Sequence, residues 1–377
     1  MSRLAIGTNT GGRKRNDDNA ATFHLNDGTI GLLVADGHGE DGNHAARIAV
    51  EVIPQVIREG WNQGDVHQLI HDAFWSAHQD ILRDYRTRDP SLHAMPPHQA
   101  VEGLMTERAT KHEKVPVYYK HNTRDPTLRS YPDSGTTATL VLINPRKESL
   151  ITAVVGDSDA YCVNNRGSVV SLSTRHTPAH QKEIERIQRD VLPFTGGKVQ
   201  IRDGRLVIAE VGGDYQHSLE PSRALGHNYA RLVGVDPTPE IVERKMGQMP
   251  RLVVVGSDGA WEAVSPTTLT RTLTLGHAND VMRSLMSIVQ TFSDETEASD
   301  NATMALYYHE GNAERHSERT EASPALPTSF AQVPRKRIKN EAKSAAVQKR
   351  EREIIRRHAP RKLVISLDPE LRLTTRR

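Results

Sequence analysis

"VADGHGEDGNHAA", residues 34–46, ends one aliphatic run, "TIGLLVAD" at 29–36, and opens a stretch of helical character. Asp36 and His38 sit on this turn with Gly37 and Gly39, which reach backbone conformations closed to other residues. Runs like the first recur as "TTATLVLI" (136–143), "LITAVVGD" (150–157), "AYCVNN" (160–165), "RLVVVGSD" (251–258) and "ATMALYYH" (302–309). They are short, rich in β-branched and aliphatic residues, and bounded by Gly, Asp, Asn or Pro, so they predict strands. After the turn, "HAARIAVEVIPQVIREG" (44–60) places apolar residues at Ala45, Ala49, Ile53 and Val56/Ile57, and "DVHQLIHDAFWSAHQDIL" (65–82) at Val66, Leu69/Ile70, Ala73/Phe74, Ala77 and Ile81. That spacing predicts two consecutive amphipathic helices. Helices in sequential pairs, not one after each strand, favour a layered α+β domain over a doubly wound parallel sheet.

The chain has 377 residues with a formal net charge of +2, 36% hydrophobic and 25% charged. This is an ordinary globular composition, and no run of about 18 apolar residues predicts a membrane span. The single cysteine, Cys162, excludes an internal disulfide framework and reads as a buried strand residue. With no apolar core of a signal peptide at the N-terminus, the expectation is an intracellular protein, cytoplasmic or nuclear. The charge is unevenly spread: residues 311–377 carry 17 Lys and Arg against 8 Asp and Glu, the remainder 32 against 39. This predicts a domain over 1–309 and, over 310–377, a flexible linker and basic tail with one charged helix near 340–359. "PRKRIK" (334–339) resembles a nuclear-import signal, so the tail is expected to meet an import receptor or an anionic partner. Residues 86–133, rich in Pro, His and charge, read as an insertion with at most one short helix near "HQAVEGLMTERA".

Strand candidates end in Asp36, Asp157 and Asp258; Asp300 precedes another, and "NDDN" (16–19) adds Asp17 and Asp18. One aspartate at a strand end is ordinarily a turn former. Several brought to one sheet edge repel one another unless cations neutralise them, and all-oxygen ligands select Mg²⁺ or Mn²⁺. The Gly37 carbonyl and His38 stand beside Asp36, and Arg13 matches a phosphate bidentately. Metals plus a phosphate clamp suggest metal-activated water attacking a phosphomonoester. Other constellations are weaker. His67 and His71 lack a supporting carboxylate for zinc, "CVNNRGS" lacks the arginine of a cysteine phosphatase, and "SRALG" lacks the glycine of a nucleophile elbow.

In order along the chain, "RKRNDD" (13–18), "ADGHGE" (35–40), "SGTTATLVLI" (134–143), "VVGDSDAY" (154–161), "LEPSRALGH" (219–227), "VVVGSDGAWEAVS" (253–265) and "SDNATMAL" (299–306) resemble the metal-dependent protein serine/threonine phosphatases of the protein phosphatase 2C family. The resemblance covers roughly residues 3–309. It implies a four-layer α-β-β-α sandwich of two antiparallel sheets flanked by helix pairs. It also implies hydrolysis of phosphoserine and phosphothreonine in proteins by water activated between two Mg or Mn ions. Position by position, Asp36 resembles the bridging ligand with the Gly37 carbonyl beside it, Asp258 and Asp300 ligands of the first metal, and Asp17 the acidic ligand on the second-metal side. Asp18 resembles a hydrogen-bonding support, Asp157 a ligand of a third, weaker metal, His38 the general acid and Arg13 the phosphate-binding arginine. Four positions depart from the family pattern: Asp17 stands where Glu is usual, Asp159 where Arg is, Arg175 where Asp is, and His227 where Asp is. The implied partners are phosphoprotein substrates and the implied state a monomer. The competing reading is a pseudophosphatase or scaffold that docks partners through the insertion and tail.

Overall fold

The computed structural model describes residues 2–100, 115–121, 129–195, 199–209, 216–296 and 299–309. The tail, with 334–339 and the expected helix 340–359, lies outside the described residues, as does most of "HQAVEGLMTERA". Two five-stranded sheets form the centre. In one, the order is Ser2–Asn9, Ala302–His309, Leu252–Gly256, Asp159–Val163 and Val169–Ser171; in the other it is Glu240–Lys245, Ser149–Val155, Ala138–Asn144, Ile30–Ala35 and Asn19–His24. Every neighbouring pair is antiparallel.

Period-2 alternation sets the layers. Leu32 and Val34 point between the sheets with Val141, Ile143, Val253, Val255, Ala305 and Tyr307. Leu33 and Ala35 point the other way, onto Ala49, Ile53, Phe74 and Ala77 of helices Gly42–Gly60 and Val66–Arg88. On the opposite outer face, Val254, Met304 and Leu306 pack against Val281, Met282 and Leu285 of helix Ala278–Glu295. Each such fully buried aliphatic side chain stabilises the fold by about 1.5–3 kcal/mol. The result is the expected α-β-β-α order. The second helical layer, however, is one long helix accompanied by two short ones, Asp258–Ala263 and Thr268–Thr272. Cys162 lies in the inter-sheet layer, where burial pushes its thiol up to about 11. Among the described residues no helix is long and apolar enough to cross a membrane.

The stretch 86–133 has more structure than its composition predicts. Its first residues finish helix Val66–Arg88, and strands His93–Met95, Val117–His121 and Arg129–Ser130 pair antiparallel. The reason is apolar: Met95, Val117 and Tyr131 are buried against Val199, Leu206 and Tyr229. His67 faces Glu243 at 3.9 Å from the flank of its helix, consistent with a solvated position.

A buried ion cluster ties helix Gln181–Asp190 to the segment that follows Glu220. Glu183, its side chain 2% exposed, accepts from Arg223 Nε at 2.9 Å and Nη2 at 2.6 Å through Oε1, and from Arg186 Nε at 2.9 Å and Ser222 Oγ at 2.8 Å through Oε2. Burial alone would raise the Glu183 pKa, but the Arg223 hydrogen bond and the charges of Arg186 and Arg223 outweigh it and hold the carboxyl at about 2. A depressed carboxylate contributes stability that is fully present above its unfolded pKa of about 4.5 and is lost as pH falls toward about 2. Glu183→Gln is therefore expected to destabilise the chain by roughly 3 kcal/mol at pH 7 and to flatten the acid limb between those pH values. Urea midpoints of both proteins across pH 2–7 test this, and parallel acid limbs would contradict it.

Candidate active site

Strand Ile30–Ala35 ends at Asp36, whose backbone is pinned on both sides. Its N–H donates to Thr137 Oγ1 (3.0 Å), and its carbonyl accepts from Thr137 N–H (2.9 Å) and Thr136 Oγ1 (3.0 Å). The next residue must be glycine. A Cβ on Gly37 would come within 2.2 Å of the Gly42 carbonyl oxygen and 2.6 Å of the Asp17 carbonyl oxygen, so only a bare backbone lets this turn meet the start of helix Gly42–Gly60. From the other sheet, Leu252–Gly256 delivers Asp258 at the first turn of helix Asp258–Ala263, and Asp300 leads into Ala302–His309.

These strand ends bring carboxyl groups together. Asp36 lies within the field of both Asp18 and Asp258. Burial, then the charges of Asp18 and Asp258, push the Asp36 pKa well above the usual carboxylate range. Asp18 rises to about 7 through burial, despite the Ser257 Oγ hydrogen bond at 2.7 Å, with Asp258 adding to the rise; its Oδ1 is buried with no partner. Asp157 also rises to about 7, again through burial first and Asp258 second. Among the described residues no three such side chains are already disposed as a coordination sphere. The donor chemistry nevertheless fits a divalent cation: neighbouring carboxyls, one with an orphaned buried oxygen, are what a hard cation neutralises.

Two expected ligands are turned aside. Asp300 receives the Arg13 guanidinium in a fork, Nε to Oδ1 at 3.1 Å and Nη2 to Oδ2 at 2.8 Å. Asp17 receives Arg15 Nε at 2.6 Å, and Arg15 Nη2 continues to the Glu40 carbonyl. Asp18, read from the sequence as a support, is thus the member of "NDDN" that lies within the field of Asp36. Asn301 holds this arginine loop: its amide donates to the carbonyls of Thr10 (2.7 Å) and Arg15 (3.0 Å), and its Oδ1 accepts from Asp17 N–H (2.8 Å).

His38 Nε2 lies 2.7 Å from His227 Nε2, and His227 Nδ1 lies 2.9 Å from Asp133 Oδ2. Burial, followed by the neighbouring His227, depresses the His38 pKa to about 3. Two departures from the family pattern meet in space. Arg175 Nε stands 3.4 Å from Asp159 Oδ2 and donates to the Asp157 carbonyl at 2.9 Å, while Ser173 Oγ donates to Asp159 Oδ1 at 2.9 Å. The exchanged charges form one ion pair beside the carboxyl cluster.

Sequence reasoning passed over Thr137, Ser257, Asn301 and Arg15, although all lie in or beside the quoted motifs. Neutral side chains that fix a ligand's backbone carry no charge pattern to find them by. Asp133 was hidden at the end of the insertion, just ahead of the strand signal at 136–143, among the charged residues of that stretch.

The protein phosphatase 2C family profile matches residues 67–302. Protein phosphatase 1B of Rattus norvegicus is 32% identical over 191 residues, 50% of this chain and 44% of that protein. Protein phosphatase 2C 3 of Arabidopsis thaliana is 34% identical over 131 residues, 35% of this chain and 26% of that one. These matches span less than half the length of either relative. Among solved structures, serine-threonine phosphatase 2C from Toxoplasma gondii superposes with a TM-score of 0.57 at 17% identity, covering 81% of this chain and 94% of that one. A C. elegans sex determining protein superposes with 0.55 at 15% identity, covering 81% and 64%. Both structural likenesses speak to the fold. The profile match over more than half of the chain, on a sandwich whose strand ends gather Asp18, Asp36, Asp157 and Asp258, establishes that the chain belongs to the protein phosphatase 2C family.

Proposed function

We propose that this chain is a Mg²⁺- or Mn²⁺-dependent phosphatase that hydrolyses phosphoserine and phosphothreonine in proteins. The observation that carries the reading is the gathering of three carboxyl groups, Asp18, Asp36 and Asp258, within one another's field and that of the Arg13 guanidinium. Asp36, Asp258 and the Gly37 carbonyl would hold cations, with Asp18 on the buried side, Asp157 close by, and Asp300 and Asp17 once released from their arginines. Two bound ions would supply an acidified water at neutral pH and neutralise charge on the phosphoryl oxygens.

The chain's own residues do the rest. Arg13, exposed and already presenting its fork at the site, binds the phosphate and orients it; in this arrangement phosphate and Asp300 compete for the same guanidinium. His38 would relay a proton to the leaving oxygen through Nδ1, since Nε2 is engaged by His227. The Thr136 and Thr137 bonds keep Asp36 from drifting, which preserves the alignment of any in-line attack. The excess of Lys and Arg in the tail supports a docking role apart from this chemistry, to an import receptor or an anionic partner.

A scaffold reading has one observation in its favour: the Arg13 and Arg15 guanidinium groups pair with Asp300 and Asp17. Turnover decides between the two. Hydrolysis of a phosphothreonine peptide by the full chain is expected to rise with Mn²⁺ or Mg²⁺, to vanish in EDTA, and to fall about 100-fold or more in Asp36→Asn and Asp258→Asn. Folded protein without turnover at any metal concentration would leave the scaffold. Arg13→Ala, assayed at saturating Mn²⁺, is expected to raise KM about tenfold or more through loss of the charge-assisted phosphate bond; an unchanged KM would remove Arg13 from phosphate binding.

A further inference from the structure

We propose that Asp133 and His227 are a positioning pair that fixes the His38 imidazole through its inner nitrogen, so that only Nδ1 is left to serve the reacting group. The inference rests on the phosphatase reading above and adds to it two residues outside the metal site.

The arrangement is built by a small three-stranded sheet, Leu225–Gly226, Ser134–Thr136 and Gly37–Gly39 in that order. His38 and Gly226 are both registered on Gly135, one from each side. Gly135 has no side chain to keep the flanking imidazoles apart. A Cβ there would fall 2.5 Å from His227 Cδ2 and 2.6 Å from its Nε2. The two rings therefore meet with centroids 4.8 Å apart and planes inclined at 33°. His227 reaches this place with φ at 60°, a left-handed conformation that costs a non-glycine residue on the order of 1 kcal/mol. Its N–H is held by the Ser134 carbonyl at 2.8 Å.

Hydrogen-bond bookkeeping assigns the roles. The Asp133 and His227 side chains are each 1% exposed. Asp133 Oδ1 accepts from the Tyr229 N–H at 2.8 Å, so its Oδ2 faces His227 in a fixed direction. Nδ1 is thus the His227 nitrogen committed to Asp133, and Nε2 is the one left to meet His38. The 2.7 Å approach of the two Nε2 atoms holds one hydrogen between them, and rotating His38 would break that bond in a place water does not reach. Two apolar side chains could fill this volume without the desolvation cost of a buried carboxylate. A polar chain that ends on His38 is the arrangement needed to orient a ring that transfers protons.

The test uses the full chain with Mn²⁺. Long-range ¹H–¹⁵N spectra of histidine-labelled protein are compared for wild type, His227→Gln and the isosteric Asp133→Asn, which keeps the shape if the first variant fails to fold. Asp133→Asn is expected to move the ring nitrogen signals of both His227 and His38 while leaving His67 and His71 in place. Static His38 signals in both variants overturn the proposal. In parallel, kcat on a phosphothreonine peptide is expected to fall about 10- to 100-fold at nearly constant KM, while turnover of p-nitrophenyl phosphate falls less than about threefold. Nitrophenolate leaves without a proton, so only the alkyl ester should suffer. Equal losses on both substrates would reduce the pair to a structural role and overturn the proposal. A wild type that turns over neither substrate, yet shows the coupled histidine signals, would retire the phosphatase reading and leave the positioning of His38 standing.

Discussion

Carboxyl groups gathered at one edge and partly withdrawn from water cannot all be anions, and this constraint organises the centre of the molecule. Asp18, Asp36 and Asp258 lie within one another's field, and Asp157 feels Asp258. Protonation, arginine or a cation must answer the repulsion, and the chain holds the cluster ready for the last by rigid means. Strand ends from both sheets deliver the groups. The Gly37 to Gly42 backbone approach, the Thr137 hydroxyl and the Ser257 hydroxyl prevent them from separating. A loose site would relieve the repulsion by moving apart, and the apolar layer between the sheets gives it no room to do so.

The same logic extends outwards. The segment that carries Ser222, Arg223 and His227 belongs to no long strand or helix, and it is fixed instead by charge. Glu183 binds Ser222 and Arg223, and Ser222 N–H donates to the His176 carbonyl at 2.8 Å. Tyr85 performs the equivalent task for the neighbouring strand: its hydroxyl donates to the Ser134 carbonyl at 2.7 Å and accepts from the Ser134 N–H at 2.5 Å. Helix Val66–Arg88 therefore positions the Ser134–Thr136 strand as well as covering a sheet.

What could be read from the sequence followed burial. Fully buried strands such as Ala138–Asn144 and Leu252–Gly256 stand out as largely aliphatic runs because both faces are covered. The edge strand Glu240–Lys245, "EIVERK", escapes notice because most of its residues are only partly buried. The strands of the 86–133 stretch are punctuated by prolines and histidines, and their few apolar residues make sense only against a core contributed by distant segments. At the site, charged residues at strand ends were legible as a set, and their pairing was not. That Asp18 rather than Asp17 meets Asp36, and that arginines hold Asp17 and Asp300, depends on loop paths that no local pattern encodes.

Asp159 and Arg175 have a consequence for how this chain is compared with its relatives. Taken singly, each is a mismatch to the family pattern, and each would count against shared ancestry and shared chemistry. In space they are one object, an ion pair with its poles exchanged, also tied to Ser173 and the Asp157 carbonyl. Reversing both signs together conserves the attraction, whereas either change alone would set two like charges face to face. Position-by-position identity understates the kinship of such a chain, because it tallies as two losses what the physics records as a single permutation.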